Sequence, residues 1–211
     1  MDTFELKKEQ LKLAQKVVLK DNFTKIKTIG GTACLPLGNK LLAVIVVCEY
    51  PSMKVLEKQS YLLSDPLNYI PGFLAYREMP ALIEAYNKLE QEPDLLIVNG
   101  QGIAHQRKLG LASHLGLALN KATIGVTKNH LLGKIENGKI IYHNQIVGFE
   151  IKTKEHANPV YVSPGHLASL GSTLKLVSEM IKPPHKMPEP LHIARKLAKK
   201  EVKNDKIEVN V

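Results

Sequence analysis

Three strand-like runs in the first third of the chain constrain its fold most strongly. They extend from Ile26 to Cys34, from Leu41 to Cys48 and from Met53 to Leu63, and the middle run is apolar throughout. The turn-forming residues between them are Pro36, Gly38, Asn39, Pro51 and Ser52. Because these turns stand at hairpin distances, the pattern predicts that the domain opens with three antiparallel strands.

Helices and short strands alternate over the rest of the chain. The pattern predicts helices over about residues 1–22, 78–90, 109–119, 167–181 and 189–203, short strands over 95–98 and 123–126, and a further strand pair within 139–163. Alternation of strand and helix is typical of parallel strands joined by crossovers, so the sheet is expected to be mixed and flanked by helices. We predict one α/β domain over residues 1–211, ending in a charged flexible tail at about 204–211.

The charge of the chain favours a polyanionic partner. Its 211 residues are 44% hydrophobic, which is enough for one core, and 29 Lys and Arg against 20 Asp and Glu give a formal net charge of +9. Such an excess of positive charge favours nucleic acid as the partner. A solvated lysine-rich surface is the alternative interpretation.

The sequence contains no signal for a membrane or for an oxidising compartment. No stretch is long and apolar enough to span a bilayer, and the first residues lack the apolar core of a signal peptide. Cys34 and Cys48 lie in or beside predicted strands without metal-like spacing, so we interpret them as small buried apolar residues in a reducing cell. We therefore expect a cytoplasmic protein.

Glu78 is the acidic residue with the most informative position. It precedes an apolar helical stripe that includes Leu82 and Leu89, and a helix extended back by one turn puts the acid on the core-facing side. A carboxylate there needs a metal, an Arg or a raised pKa, because an unpaired buried charge is strongly unfavourable. A second acid is expected where the predicted strand 95–98 ends, and that position is Asn99.

Six short motifs resemble those of the endonuclease V family in their order and spacing. They run from about residue 28 to 195 and comprise Tyr69–Phe73 with Arg77 and Glu78, Asn99–His105, Ala112–Gly116, Thr123–Lys128, Ser163–His166 and Pro188–Pro190. The resemblance implies a ribonuclease H-like fold, with a mixed sheet that begins with three antiparallel strands. This fold agrees with the strand pattern read from the residues alone.

The resemblance also implies a metal-dependent reaction on nucleic acid. In such enzymes carboxylates hold Mg²⁺, which polarises the phosphate and helps to generate hydroxide. The family hydrolyses a phosphodiester 3′ to inosine, the deamination product of adenosine, in DNA or, for some members, in RNA. DNA or RNA that contains inosine or single-stranded regions is therefore the expected partner, and no protein partner is indicated.

When the family's three metal-binding acids are carried over residue by residue, the resemblance implies that only one of them is an acid in this sequence. Glu78 corresponds to the acid of the helix, Asn99 replaces the acid that ends the fourth strand, and the acid of the first strand falls on Thr32. Neutral oxygens in place of two carboxylates are expected to weaken Mg²⁺ binding steeply, and such a site favours Mn²⁺, which generally binds these ligands more tightly. Asn99 also precedes Gly100, and deamidation of this Asn-Gly pair would restore an Asp.

The resemblance further assigns residues that contact nucleic acid. The loop Tyr69–Gly72 (Tyr69, Ile70, Pro71 and Gly72), called the wedge loop below, corresponds to a rigid segment that occupies the space of an extruded base. Gly100, Gln101 and Gly102 are expected to bring backbone N–H groups to that base. From the residues alone, a turn that contains Pro and a packed Tyr is the alternative.

Several basic residues complete the site that the resemblance implies. His105 and Lys128 resemble residues near the scissile phosphate, where a cation stabilises developing charge, and His166 resembles a third polar group of the site. Arg77 is expected to pair with Glu78 or to reach phosphate. Without the resemblance, a lone His is more often a structural residue.

The sequence departs from the family again after Pro188–Pro190. The family has a Thr-Arg pair and an acid there, whereas this chain has Leu191, His192 and Arg195. The last helix also carries Lys196, Lys199, Lys200 and Lys203. The catalytic carboxylates have therefore changed while the basic surface is present.

Three hypotheses remain from the sequence. The first is a binder of inosine-containing nucleic acid whose cleavage is impaired by Thr32 and Asn99. The second is an active, divergent nuclease that uses Mg²⁺ or Mn²⁺. The third is a nucleic-acid-binding scaffold without catalysis or inosine preference.

Overall fold

One mixed sheet organises the part of the chain that the computed structural model describes, residues 2–153 and 158–204. Its nine strands there are β1 Thr28–Leu37, β2 Lys40–Glu49, β3 Val55–Ser64, β4 Leu95–Asn99, β5 Thr123–Thr127, β6 Lys134–Glu136, β7 Lys139–Tyr142, β8 Gln145–Ile151 and β9 Val160–His166. Five helices accompany them in the same residues: α1 Thr3–Ala14, α2 Leu74–Asn87, α3 Leu111–Leu119, α4 Leu170–Met180 and α5 Glu189–Asn204.

The strand order is β3-β2-β1-β4-β5-β9-β8-β7-β6. β1 pairs with β2 and β2 pairs with β3, both antiparallel, as the hairpin turns predict. β1 and β4 are parallel, as are β4 and β5, whereas β9 returns antiparallel to β5. The predicted ribonuclease H-like mixed sheet with three antiparallel strands first is confirmed.

Helices cover both faces of the sheet. Helices α4 and α5 pack on one face, over Ile29 and Ala33 of β1, and helices α2 and α3 pack on the other face, over Leu41 and Ile45 of β2. Because successive residues of a strand point to opposite faces, β2 is buried along both faces from Leu41 to Cys48. This two-sided burial explains why the middle run of the sequence is apolar throughout.

Some predicted element boundaries are wrong. Helix α1 ends at Ala14 rather than at residue 22. Helix α2 begins at Leu74 rather than at about residue 78, and its first turn includes the buried Ala75. The predicted strand pair within 139–163 is three strands, β7 to β9, and the three-residue strand β6 is too short to show alternation in the sequence. Most of the predicted tail, residues 205–211, lies outside the described residues.

No helix within residues 2–153 and 158–204 is both long enough and apolar enough to cross a bilayer.

A substitution at Gly31 tests the close contact between β1 and α5. A Cβ atom there would lie 2.2 Å from the carbonyl oxygen of Pro190, at the start of α5. We expect Gly31→Ala to lower the free energy of unfolding by about 2 kcal/mol, measured by chemical denaturation, because backbone must move to relieve the overlap. Gly171→Ala is the control, since a Cβ atom there meets no atom within 4 Å. Equal stability of the two variants would contradict this packing.

Candidate functional site

The parallel strands β4 and β5 end beside the middle of β1, which continues past them to Leu37. The backbone N–H of Asn99, the last residue of β4, donates to the Thr32 hydroxyl oxygen of β1 at 3.2 Å. Lys128 directly follows β5, the parallel neighbour of β4. Parallel sheets often gather ligand-binding groups at such strand ends, and Thr32, Asn99 and Lys128 lie together here.

These strand ends open into a cavity of about 310 Å³, called the strand-end pocket below. It is lined by residues 32–35 of β1, by Asn99 and Lys128, by residues 184–187 before α5, and by Leu191, His192 and Arg195 of α5. The sequence assigned Thr32, Asn99 and Lys128 to one site, and the structure brings them together. It adds His185 and Lys186, which no motif indicated.

Glu78 lies behind Cys34, one of the residues that line this pocket. The Cys34 thiol lies beside the Glu78 carboxylate and acts to lower the pKa of that carboxyl. Burial raises the pKa of Glu78 from 4.5 to about 7, although the Cys34 thiol and the charge of Arg77 act in the opposite direction. Arg77 itself donates to the Leu67 carbonyl oxygen, which attaches its guanidinium to the loop before α2.

The first strand carries no carboxylate at this end. Thr32 is buried and holds the Asn99 backbone, while Ala33 packs in the core under α5 and Cys34 faces α2. An acid is absent whichever of these residues is taken as the counterpart of the family's first Asp. Over residues 2–153 and 158–204, no group of three or more His, Cys, Asp or Glu side chains is placed to hold a metal ion.

Cations surround Lys128 instead. Desolvation and the nearby charges of Arg195, Lys186 and Lys199 lower the pKa of Lys128. The carboxylate of Glu189 is engaged by His185, and the His185 ring stacks on His192 with 3.4 Å between the ring centroids. Positive charge therefore dominates the strand-end pocket.

A second cavity, of about 300 Å³, lies beside the wedge loop and is called the loop cavity below. It is lined by Gln10 of α1, by Tyr69, Pro71 and Gly72 of the wedge loop, by the loop between β4 and α3, and by Leu131 and Leu132. Tyr69 is 63% exposed, so its ring is available to a ligand. Gln10 was not singled out in the sequence, because its contacts join residues far apart in the chain.

The Gly72 carbonyl oxygen fixes the wedge loop. It accepts hydrogen bonds from Gln10 Nε2 at 3.2 Å, from His105 Nε2 at 3.2 Å and from Arg107 Nη2 at 2.7 Å. Gly72 has φ +81, a conformation that glycine adopts readily and other residues rarely do. The loop is therefore attached to α1 and to the loop after β4 at one backbone atom.

His105 serves this attachment and is not a cation beside phosphate. Its Nδ1 accepts from the Arg107 backbone N–H, which leaves Nε2 to donate to Gly72. Burial and the charge of Arg107 lower the pKa of His105 to about 4, so the ring is neutral at pH 7. His105 also lines the loop cavity rather than the strand-end pocket with Lys128.

His166 lies apart from both cavities. Its Nδ1 accepts from the Val18 backbone N–H at 3.2 Å, and its own N–H donates to the Thr123 hydroxyl oxygen. Burial lowers its pKa. The structure thus gives this residue a role in packing the segment after α1, which corrects the expectation that it lies at the site.

The glycines after β4 use their N–H groups within the protein. The Gly100 N–H donates to the carbonyl oxygens of Val98 and Val126, and the Gly102 N–H donates to the Ser163 hydroxyl oxygen at 2.9 Å. Neither N–H is directed at a base, which corrects that expectation for these two residues; Gln101 does line the loop cavity. Deamidation of Asn99 requires attack by the Gly100 nitrogen, which these hydrogen bonds hold in the sheet.

The fold and the position of the site define a ribonuclease H-like protein of the nucleic-acid-processing class. The sequence profile of the family described as Endonuclease V matches residues 11–196. The sequence is 37% identical over 209 residues to Endonuclease V of Dictyoglomus turgidum. The aligned region covers 95% of this chain and 91% of that protein. The chain belongs to the endonuclease V family.

Solved structures of the family have the same fold. The catalytic domain of human Endonuclease V superimposes with a TM-score of 0.87 at 26% identity, covering 96% of this chain and 97% of that one. Endonuclease V of Ciona intestinalis, in complex with a 24mer DNA containing an inosine followed by a ribo-adenosine, gives a TM-score of 0.87 at 27% identity, covering 96% and 98%.

The raised pKa of Glu78 predicts a pH-dependent stability. Below pH 4.5 the carboxyl is protonated in both states; from there to about pH 7 the unfolded chain releases a proton that the folded protein retains, so folding is progressively disfavoured. We expect Glu78→Gln to raise the free energy of unfolding by about 2 kcal/mol at pH 8 and to change it little at pH 4. Denaturation at both pH values measures this difference.

Glu84→Gln is the matched control, because Glu84 is exposed on the same helix. The control should change stability by similar small amounts at the two pH values. A Glu78→Gln effect that is the same at pH 4 and pH 8 would show that Glu78 is not held in a protonated state by burial.

Proposed function

We propose that this protein binds inosine-containing DNA or RNA and that its cleavage of the phosphodiester is impaired. The observation that carries the proposal is the contrast between the two cavities. The loop cavity keeps the elements expected for an extruded base, whereas the strand-end pocket has cations where the family is expected to hold a metal with carboxylates.

The recognition half of the proposal is supported by the wedge loop. Pro71 limits the flexibility of the loop, the three hydrogen bonds to the Gly72 oxygen fix its position, and Tyr69 is exposed beside the loop cavity. A rigid aromatic residue next to a cavity is suited to fill the space of a base that has left the stack. The relative from Ciona intestinalis was crystallised with inosine-containing DNA.

The residues present do not fit the metal site on which the family's hydrolysis depends. Mg²⁺ is usually bound through one or two carboxylates and keeps several waters. Here Glu78 is the one remaining carboxyl of the three that the resemblance implies, and Lys128, Lys186 and Arg195 add positive charge to the same region. We therefore derive no hydrolytic step through Mg²⁺ or Mn²⁺.

Two alternatives make different predictions. A divergent nuclease active with Mg²⁺ or Mn²⁺ is favoured by the retained Glu78, and it predicts a nick that depends on that residue. A scaffold without inosine preference is favoured by the net charge of +9 alone, and it predicts equal affinity for strands with and without inosine.

Binding and nicking of one labelled strand test the proposal. The strand carries a single inosine or an adenine at the same position, as DNA and as RNA, and is incubated with Mg²⁺, Mn²⁺ or EDTA. We expect tighter binding of the inosine strand, the same affinity in EDTA as in Mg²⁺, and no product with either metal. An active endonuclease V serves as the positive control for nicking.

Two results would contradict the proposal. Product that disappears in EDTA and in Glu78→Gln would establish the active nuclease, and equal affinity for the two strands would establish the scaffold. Glu84→Gln is again the matched variant, because it removes one acid from the same helix without touching the Cys34 thiol.

A further inference from the structure

We propose that the strand-end pocket binds one backbone phosphate of the nucleic acid directly, through Lys128, Lys186 and Arg195, without a metal ion. The phosphate belongs to the strand that occupies the protein under the proposed function, so this inference depends on that function. It differs from the family chemistry, in which a cation bound by carboxylates contacts the phosphate.

The charges that line the pocket have one sign. Lys128, Lys186 and Arg195 are lining residues, and no Asp or Glu is among the described residues that line it. Glu189, in the first turn of α5, pairs with His185, and Glu78 lies behind Cys34. A bound phosphate would supply the negative charge that this arrangement lacks.

Mutual repulsion within the pocket supports the same conclusion. The pKa of Lys128 is lowered by desolvation and then by Arg195, Lys186 and Lys199, which places three other cations within electrostatic reach of Lys128. Like charges at such separations destabilise each other unless an anion lies between them. Charge-assisted hydrogen bonds from Lys and Arg to phosphate are among the stronger polar contacts in proteins.

The basic surface continues from the pocket along α5. A wider cavity, of about 810 Å³, is lined by Lys196, Lys199, Lys200 and Lys203 and shares His192 and Arg195 with the strand-end pocket. A row of cations that leads out of a pocket matches an extended polyanion better than a small free anion.

The two cavities are close enough for one strand. Asn99 lines the strand-end pocket and the next residue, Gly100, lines the loop cavity. Consecutive Cα atoms are only about 3.8 Å apart. The two cavities therefore adjoin at the end of β4, and we infer that one strand occupies both, with a base in the loop cavity and a neighbouring phosphate in the strand-end pocket.

A binding cycle tests whether Arg195 contacts a particular phosphate. The affinity of inosine strands is measured in EDTA by fluorescence anisotropy, with each phosphate near the inosine replaced in turn by a neutral methylphosphonate. We expect one position at which the replacement weakens wild-type binding about tenfold, the size of a lost charged hydrogen bond. The Arg195→Met variant should bind the unmodified strand about tenfold more weakly than the wild type does, and the methylphosphonate at that position should weaken its binding little further. The slope of log affinity against log salt concentration should be smaller in magnitude by about 0.7 for this variant.

Lys25→Met is the matched control, since Lys25 is exposed and precedes the amino end of β1, away from the strand-end pocket. It removes the same charge, and every methylphosphonate should weaken its binding as it weakens the wild type. If every methylphosphonate weakens the binding of Arg195→Met by the same factor as it weakens the binding of the wild type, Arg195 does not contact a particular phosphate and the proposal is overturned. If the wild type itself fails to prefer inosine, the proposed function fails instead.

Inorganic phosphate distinguishes a small anion from a strand. Thermal unfolding of the wild type and of Arg195→Met is followed with increasing phosphate against chloride of equal ionic strength. We expect inorganic phosphate to raise the unfolding temperature of the wild type only weakly, and Arg195→Met to remove this effect. The strand should still show the coupling between Arg195 and one phosphate position. Saturable stabilisation that depends on Arg195, without coupling to any phosphate of the strand, would mean that the pocket serves a free anion and would overturn the proposal.

Discussion

The parallel ladders from β1 to β4 and from β4 to β5 bring the carboxyl ends of β4 and β5 beside the middle of β1. Thr32, Asn99 and Lys128 come from distant parts of the chain, and these ladders alone determine that they meet. The close contact of Gly31 with the start of α5 then brings His192 and Arg195 over the same strand ends. The loop cavity begins one residue beyond β4, at Gly100.

Electrostatics separate this chain from the chemistry that its family implies. A metal centre needs a concentration of negative charge, and here one half-buried acid with a pKa of about 7 remains behind a thiol. The neighbouring side chains are cations whose charges repel each other. Under our proposal, this chain holds a phosphate through its own cations where the family chemistry uses a metal ion.

The sequence predicted what depends on local pattern. Turn spacing predicted the three antiparallel strands, and the apolar stripe after Glu78 predicted a core-facing acid, which the structure gives a raised pKa. The roles of His105 and His166 were not predictable, because they depend on contacts with Gly72 and Val18, which lie far away in the chain. Gln10 and the pairing of His185 with Glu189 likewise become visible only after folding.

Calorimetric titration of Mn²⁺ into the protein, with the inosine strand already bound, would reveal whether a metal centre remains at Glu78. Mn²⁺ is the more sensitive probe, because it generally binds oxygen ligands more tightly than Mg²⁺ does. We expect no saturable binding that depends on Glu78, because one carboxyl among cations is a poor ligand set. Stoichiometric binding that Glu78→Gln abolishes and Glu84→Gln preserves would contradict this expectation and would restore a metal centre to this protein.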